Sequence, residues 1–150
     1  MKKQLLLLGL PLLLLLGCAR APMAIPQRDS AAKTFAPVVG KAVAYIYRDE
    51  NMGAAVKMPV LVDRRAIADT VAKSYIRLEL EPGAHEIVSK AEKDSSLTIQ
   101  AEAGKVYYVW QEVKMGLLGA RCKLQLMPED KGQESVKNCA LLESPTTLPQ

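Results

Sequence analysis

Ser74-Tyr75-Ile76-Arg77-Leu78-Glu79-Leu80, then Glu81, Pro82 and Gly83, then Ala84-His85-Glu86-Ile87-Val88-Ser89-Lys90-Ala91, is the stretch on which the reading of the fold turns. Ile76, Leu78 and Leu80 alternate with Tyr75, Arg77 and Glu79, the period of two that sends successive side chains to opposite faces of a strand. Pro82 presets the first central position of a type II turn and Gly83 accepts the positive φ of the second. A second strand, Ala84 to Ala91, follows.

Working outward, the same texture recurs as short runs of β-branched and aromatic residues closed by Gly, Pro, Asp or Asn. Lys41 to Arg48 places Val43, Tyr45 and Tyr47 on one face and Ala42, Ala44 and Ile46 on the other. Val56 to Val62 and Ala66 to Asp69 flank the turn Asp63-Arg64-Arg65, Ser96 to Glu102 and Val106 to Val113 flank Gly104, and Ala120 to Met127 ends at Pro128. About seven or eight short strands at this spacing predict an all-β antiparallel sandwich, Ig-like or related. Helix content is expected to be low. Glu129 to Cys139 has room for one or two helical turns, although Gly132 weakens a helix there.

The N-terminus has the three parts of an export signal: Lys2 and Lys3, an apolar run from Leu5, and small residues ahead of Cys18. As a helix, Leu5 to Ala19 would rise about 22 Å, short of the roughly 30 Å hydrocarbon core, and Pro11 interrupts it. A permanent membrane span is therefore the weaker reading. Leu15-Leu16-Gly17-Cys18 resembles the lipobox of bacterial lipoproteins, with Leu16 where Ala or Ser is commoner. The resemblance implies lipid on the Cys18 sulfur and loss of residues 1–17; an ordinary secretory cleavage site is the alternative. Several acyl chains anchor a protein stably where one binds marginally. Ala19 after the cysteine resembles an outer-membrane sorting signal, so the expected place is the bacterial envelope, facing the periplasm.

The expected organisation is a signal peptide over 1–17, a lipidated flexible tether over 18–39, one β-sandwich domain over 40–143, and a disordered tail over 144–150. The formal charge of +4 includes Lys2 and Lys3, and the remaining cations alternate with acids. That is a solvated face, and no nucleic-acid partner is expected. With Cys18 assigned to lipid, Cys122 and Cys139 are expected to pair in an oxidising compartment. Such a bridge is worth about 3 kcal/mol in the chain-entropy model. Two buried thiols are the alternative.

Catalytic machinery is not expected. His85 is the one histidine and follows a turn, where a structural role is commoner than a catalytic one. A zinc ligand set, a GxSxG elbow and a Gly-rich phosphate loop are all missing from the sequence. Ser95 and Ser96 beside Asp94 read as a turn, and Glu79 with Glu81 as a solvated strand face. Neither a cofactor nor a metal is expected.

Two features stand above this background. Met115-Gly116-Leu117-Leu118-Gly119, between Lys114 and Arg121, is an apolar loop where turns are usually polar. Its leucines are expected to tuck under the sandwich edge, with a partner or lipid contact as the sharper alternative. Tyr108 and Trp110 share a strand face, and a packed cluster is expected ahead of a carbohydrate or peptide platform.

The order of Gly53-Ala54, Pro59-Val60, Lys73-Ser74-Tyr75, Pro82-Gly83 with His85, Gly104 with Tyr107, and Gln111-Glu112 then Met115-Gly116 is similar to bacterial envelope lipoproteins carrying domain of unknown function 2846. The resemblance covers roughly residues 41–142. It implies a β-rich envelope domain and brings no activity and no catalytic residue. The expected function is a non-enzymatic lipid-anchored domain that binds another envelope protein through a sandwich edge or the 115–119 loop. A small-ligand or glycan binder comes second and a cell-wall enzyme third.

Overall fold

The computed structural model describes residues 20–150. The elements are α1 (Pro26–Ala32), β1 (Ala42–Arg48), β2 (Met58–Val62), β3 (Arg65–Thr70), β4 (Ser74–Leu80), β5 (Gly83–Ser89), β6 (Ser95–Ala101), β7 (Val106–Met115), β8 (Ala120–Met127), α2 (Glu129–Lys137) and β9 (Ala140–Leu141). Two sheets face each other, one ordered β8-β7-β1-β4-β9 and the other β3-β2-β5-β6. The β-sandwich is thus present. The larger sheet is mixed, because β1 runs parallel to β7 and β4 parallel to β9. Parallel neighbours need long connections, and β1 reaches β7 only after the chain has built the whole second sheet. Among the described residues no helix is long and apolar enough to cross a membrane.

The alternation in β1 explains the layering. Ala42, Ala44 and Ile46 join Ile76, Leu78, Leu80, Val60, Val62 and Ile87 between the sheets. Val43, Tyr45 and Tyr47 point the other way, into a second core beneath α1 and α2 with Phe35, Tyr75, Tyr108 and Val136. Every residue of β1 is buried because both faces are covered. The Pro82–Gly83 turn carries the chain from the larger sheet to the smaller, with Gly83 at φ 140°.

Three expectations are corrected. The segment from residue 20 to 39 is not a tether. Met23 bridges Leu142, the Ala24 N–H donates to Leu141 O at 2.9 Å, and the Glu143 N–H donates to Pro22 O at 2.9 Å. The Asp29 carboxylate in α1 accepts from Lys33, the Tyr75 hydroxyl and the Leu141 N–H. Phe35 packs its ring against Tyr45 and Tyr108, with centroids 5.4 and 6.0 Å apart. Burial of that ring, together with a carboxylate that joins three elements, holds the segment to the domain. Cys18 lies outside the described residues. The tail is not loose either: Thr147 bridges Glu79, the Glu79 N–H donates to Thr146 O at 2.7 Å, and Ser144 is buried.

The third correction concerns α2, which runs nine residues through Gly132. A Cβ at position 132 would overlap the Tyr108 ring. The absent side chain is what lets the helix lie on the sheet, so the residue that weakens the helix locally permits its packing.

Candidate functional site

The loop expected to be tucked in stands out instead. β7 and β8 pair as far as Met115 and Ala120, and the Gly116 N–H donates to Gly119 O at 2.7 Å to close the turn. Leu117 and Leu118 are 88% and 90% exposed and Met115 72%. The buried expectation fails because the hairpin runs past the end of β1, whose register with β7 stops at Trp110. No neighbouring strand is there to receive the leucines.

The tip is nevertheless held in shape. Glu92 accepts from the Leu118 and Gly119 N–H groups at 3.2 and 3.0 Å and from Arg121 Nη2 at 2.9 Å. Those bonds, the Arg121 one first, keep its carboxyl below the ordinary glutamate range. A Cβ at Gly116 would overlap this carboxylate, so only glycine lets the loop close over it. Two leucines thus stand in water on a turn braced from below.

The expected platform divides. Tyr108 is 1% exposed and stacks on Tyr45, with ring planes at 14° and centroids 5.4 Å apart. It belongs to the core, and burial pushes its phenol up to about 12. Trp110 is half-buried on the same face, where its Nε1–H donates to Glu50 Oε2 at 3.1 Å. The other Glu50 oxygen accepts from the Val113 N–H, a donor left without a β1 partner. Trp110 and Tyr47 line a cavity of about 340 Å³ with Asp49, Glu50, Met127 and residues of α2. Nothing in the strand pattern announces this cavity. The consecutive acids Asp49-Glu50 after β1 were its one sequence signal.

The remaining candidates are structural. Cys122 and Cys139 are both free thiols, which corrects the expected disulfide. Their sulfurs lie against different strands: Cys122 Sγ approaches Ser89 O in β5, and Cys139 Sγ approaches Arg48 O in β1. Burial raises both thiols, that of Cys139 to about 12, so neither is a ready thiolate. His85 faces Asp63 Oδ2 at 2.6 Å through Nδ1 and Glu81 O at 2.7 Å through Nε2. It clasps the β2–β3 turn to the corner at Pro82. Ser95 Oγ accepts from the Leu124 N–H and joins the two sheets, while Ser96 is exposed.

Two buried polar arrangements escaped the sequence reading. Arg48 is fully buried on β1 and donates to Val56 O, Met52 O and Gly53 O, which ties down the loop after the strand. Between the sheets, the Thr70 hydroxyl donates to Gln111 Oε1, and Gln111 Nε2 donates to Ser89 Oγ. The Thr70–Gln111–Ser89 chain is bonded throughout, whereas Arg48 keeps its buried Nε without a partner among the described residues; both contribute rigidity.

Comparison with known proteins supplies a lineage. A protein of Haemophilus influenzae described as an uncharacterized protein is 32% identical over 126 residues, covering 83% of this chain and 75% of its own. No solved structure matches. The profile for proteins of unknown function DUF2846 matches residues 38–121, which runs from the approach to β1 through the hairpin tip. The chain belongs to the DUF2846 family.

Proposed function

We propose that the protein is a non-catalytic binding module of the bacterial envelope, held to the membrane by lipid on Cys18, which docks its 115–119 tip into an apolar groove of another envelope protein. The observation that carries this reading is the exposure of Leu117 and Leu118, 88% and 90%, on a turn braced by Glu92. An exposed apolar pair on a stiff turn loses little entropy on docking, which is the condition for a few residues to dominate binding.

A protein partner is favoured over the protein's own membrane by the placement of the chain's ends. The N-terminal chain enters beside β9 at one edge of the larger sheet, where Met23 bridges Leu142. The tip joins β7 to β8 at the opposite edge. The entry of the N-terminal chain and the hairpin tip therefore lie at opposite edges of the larger sheet, which supports a partner at the tip other than the anchoring membrane.

The test is in-cell photocrosslinking from position 118 of the membrane-attached protein, with the exposed sheet position Thr98 as control. The expected result is a discrete protein adduct from 118 alone that weakens when Glu92→Ala unbraces the turn. A lipid adduct, or the same adducts from both positions, overturns the docking reading. An unmodified Cys18 in the mass of the membrane-extracted N-terminal peptide overturns the anchor.

A further inference from the structure

The cavity at the tip-ward end of β1, away from the hairpin leucines, has the composition of a receptor for a small cation. Its aromatic walls are Trp110 and Tyr47, Met127 adds an apolar side, Asp49, Glu50 and Glu134 supply carboxylates, and Lys131 is the one cation in the lining among the described residues. Asp49 is already taken by Lys73 at 2.8 Å. Glu134 stands at the rim, 3.7 Å from Lys131, and both side chains are largely in solvent. Glu50 is different. Trp110 Nε1–H and the Val113 N–H each occupy one oxygen, so the group is fixed in place. A carboxylate has about four lone-pair positions, so Glu50 keeps acceptor capacity beyond these two bonds, while Arg48 and Lys73 act on it only through space.

A second, independent feature points into the same space. Tyr47 is 2% exposed, and its hydroxyl reaches the cavity wall with Ser135 as its side-chain hydrogen-bond partner, which leaves acceptor capacity on the oxygen. A buried hydroxyl in that position can accept from an ammonium N–H or donate to a ligand. An indole face within about 6 Å attracts a cation further.

We propose that this cavity binds a primary ammonium carried on a short apolar stem, such as an aminoalkyl group. The ammonium donates to the free lone pairs of Glu50 and to the Tyr47 hydroxyl, and the stem lies along Trp110 and Met127. A volume of about 340 Å³ is at the lower end of ligand pockets.

Trp110 is the sole tryptophan, so its emission reports on the cavity directly. The detergent-solubilised full-length protein is titrated at pH 7 with n-pentylamine, and with 1-pentanol as the uncharged counterpart. The expected result is a saturable emission change with the amine and binding of the alcohol at least about tenfold weaker. Glu50→Gln should weaken the amine about tenfold in protein whose cooperative urea transition shows that it is still folded. Should that variant fail to fold, Glu134→Gln at the rim should weaken it by a smaller factor. Equal responses to amine and alcohol, a response that never saturates, or unchanged amine binding in the folded variants overturns the assignment.

Discussion

Replacing Phe35 tests whether residues 20–39 belong to the folded body. Its ring is 9% exposed and lies 5.4 Å from Tyr45 and 6.0 Å from Tyr108, with Lys137 Nζ 5.8 Å from its centre. Deleting a buried phenyl ring costs about 3–5 kcal/mol, so Phe35→Ala should cost about that much. The backbone adds a finer test, because Phe35 sits at φ 55° in the left-handed region. Alanine keeps that strain, about 1–2 kcal/mol, whereas glycine is free of it. Glycine's extra freedom in the unfolded chain returns about 0.5–1 kcal/mol of the gain. Phe35→Gly should therefore be less destabilised than Phe35→Ala by about 0.5–1 kcal/mol, although both lose the same ring. Urea unfolding followed by Trp110 emission reads both variants. A cost below about 1 kcal/mol for Phe35→Ala, the value for a residue on a loose leader, would refute the packing argument. A glycine variant weaker than the alanine one would refute the strain.

Asp29→Asn should reduce stability at pH 7 by about 1–3 kcal/mol, the worth of hydrogen bonds to a charged group, as read by urea midpoints. Burial pushes the Asp29 carboxyl up, but its bonds to Lys33, Leu141 and Tyr75 outweigh this and leave it lowered. A lowered carboxyl stabilises above its unfolded value near 4. The gap between wild type and variant should accordingly hold at neutral pH and close as pH falls below about 4; a gap constant down to pH 2 contradicts the linkage. Gly132→Ala should destabilise by about 1–3 kcal/mol despite alanine's better helix propensity, because the methyl group meets Tyr108. A raised melting temperature would show that α2 does not lie on that ring. Arg64→Gly should stabilise by about 0.5–1 kcal/mol, since Asp63 and Arg64 take φ 49° and 66° in a two-residue turn that favours Asp-Gly. A lowered urea midpoint would argue against that turn geometry. Under non-reducing conditions, denatured protein should expose two alkylatable thiols at Cys122 and Cys139; a blocked pair would restore the bridge.

The strands were legible because alternation is a local signal. Ser74–Leu80 and Ala120–Met127 read from sequence with the same limits they have in the structure, and the two faces of β1 separated as Val43, Tyr45, Tyr47 from Ala42, Ala44, Ile46. What stayed hidden depends on partners far away in the chain. α1 has seven residues, too few to display a helical stripe, and its placement comes from Asp29 meeting Tyr75 and Leu141. Gly132 reads as a helix breaker until Tyr108 is seen beneath it. Leu117 and Leu118 read as core because leucine usually is, and only the end of the β1 register at Trp110 shows that no strand covers them. The cavity is of the same kind, since Tyr47, Glu50, Trp110 and Met127 come from three separate segments.

The pinning of the N-terminal chain sets how far the domain could stand from the anchor proposed at Cys18. The Glu143 N–H holds the Pro22 carbonyl and Met23 bridges Leu142, so the chain is fixed to the domain from there on. Between Cys18 and Pro22 the chain can extend at most about 14 Å. On the proposed lipidation of Cys18, the domain would be moored close to the headgroups like a hull at a quay on a short rope. Its search would then be confined to two dimensions, along the plane of the membrane, and the proposed partner for the hairpin tip would have to share that membrane or lean down onto it.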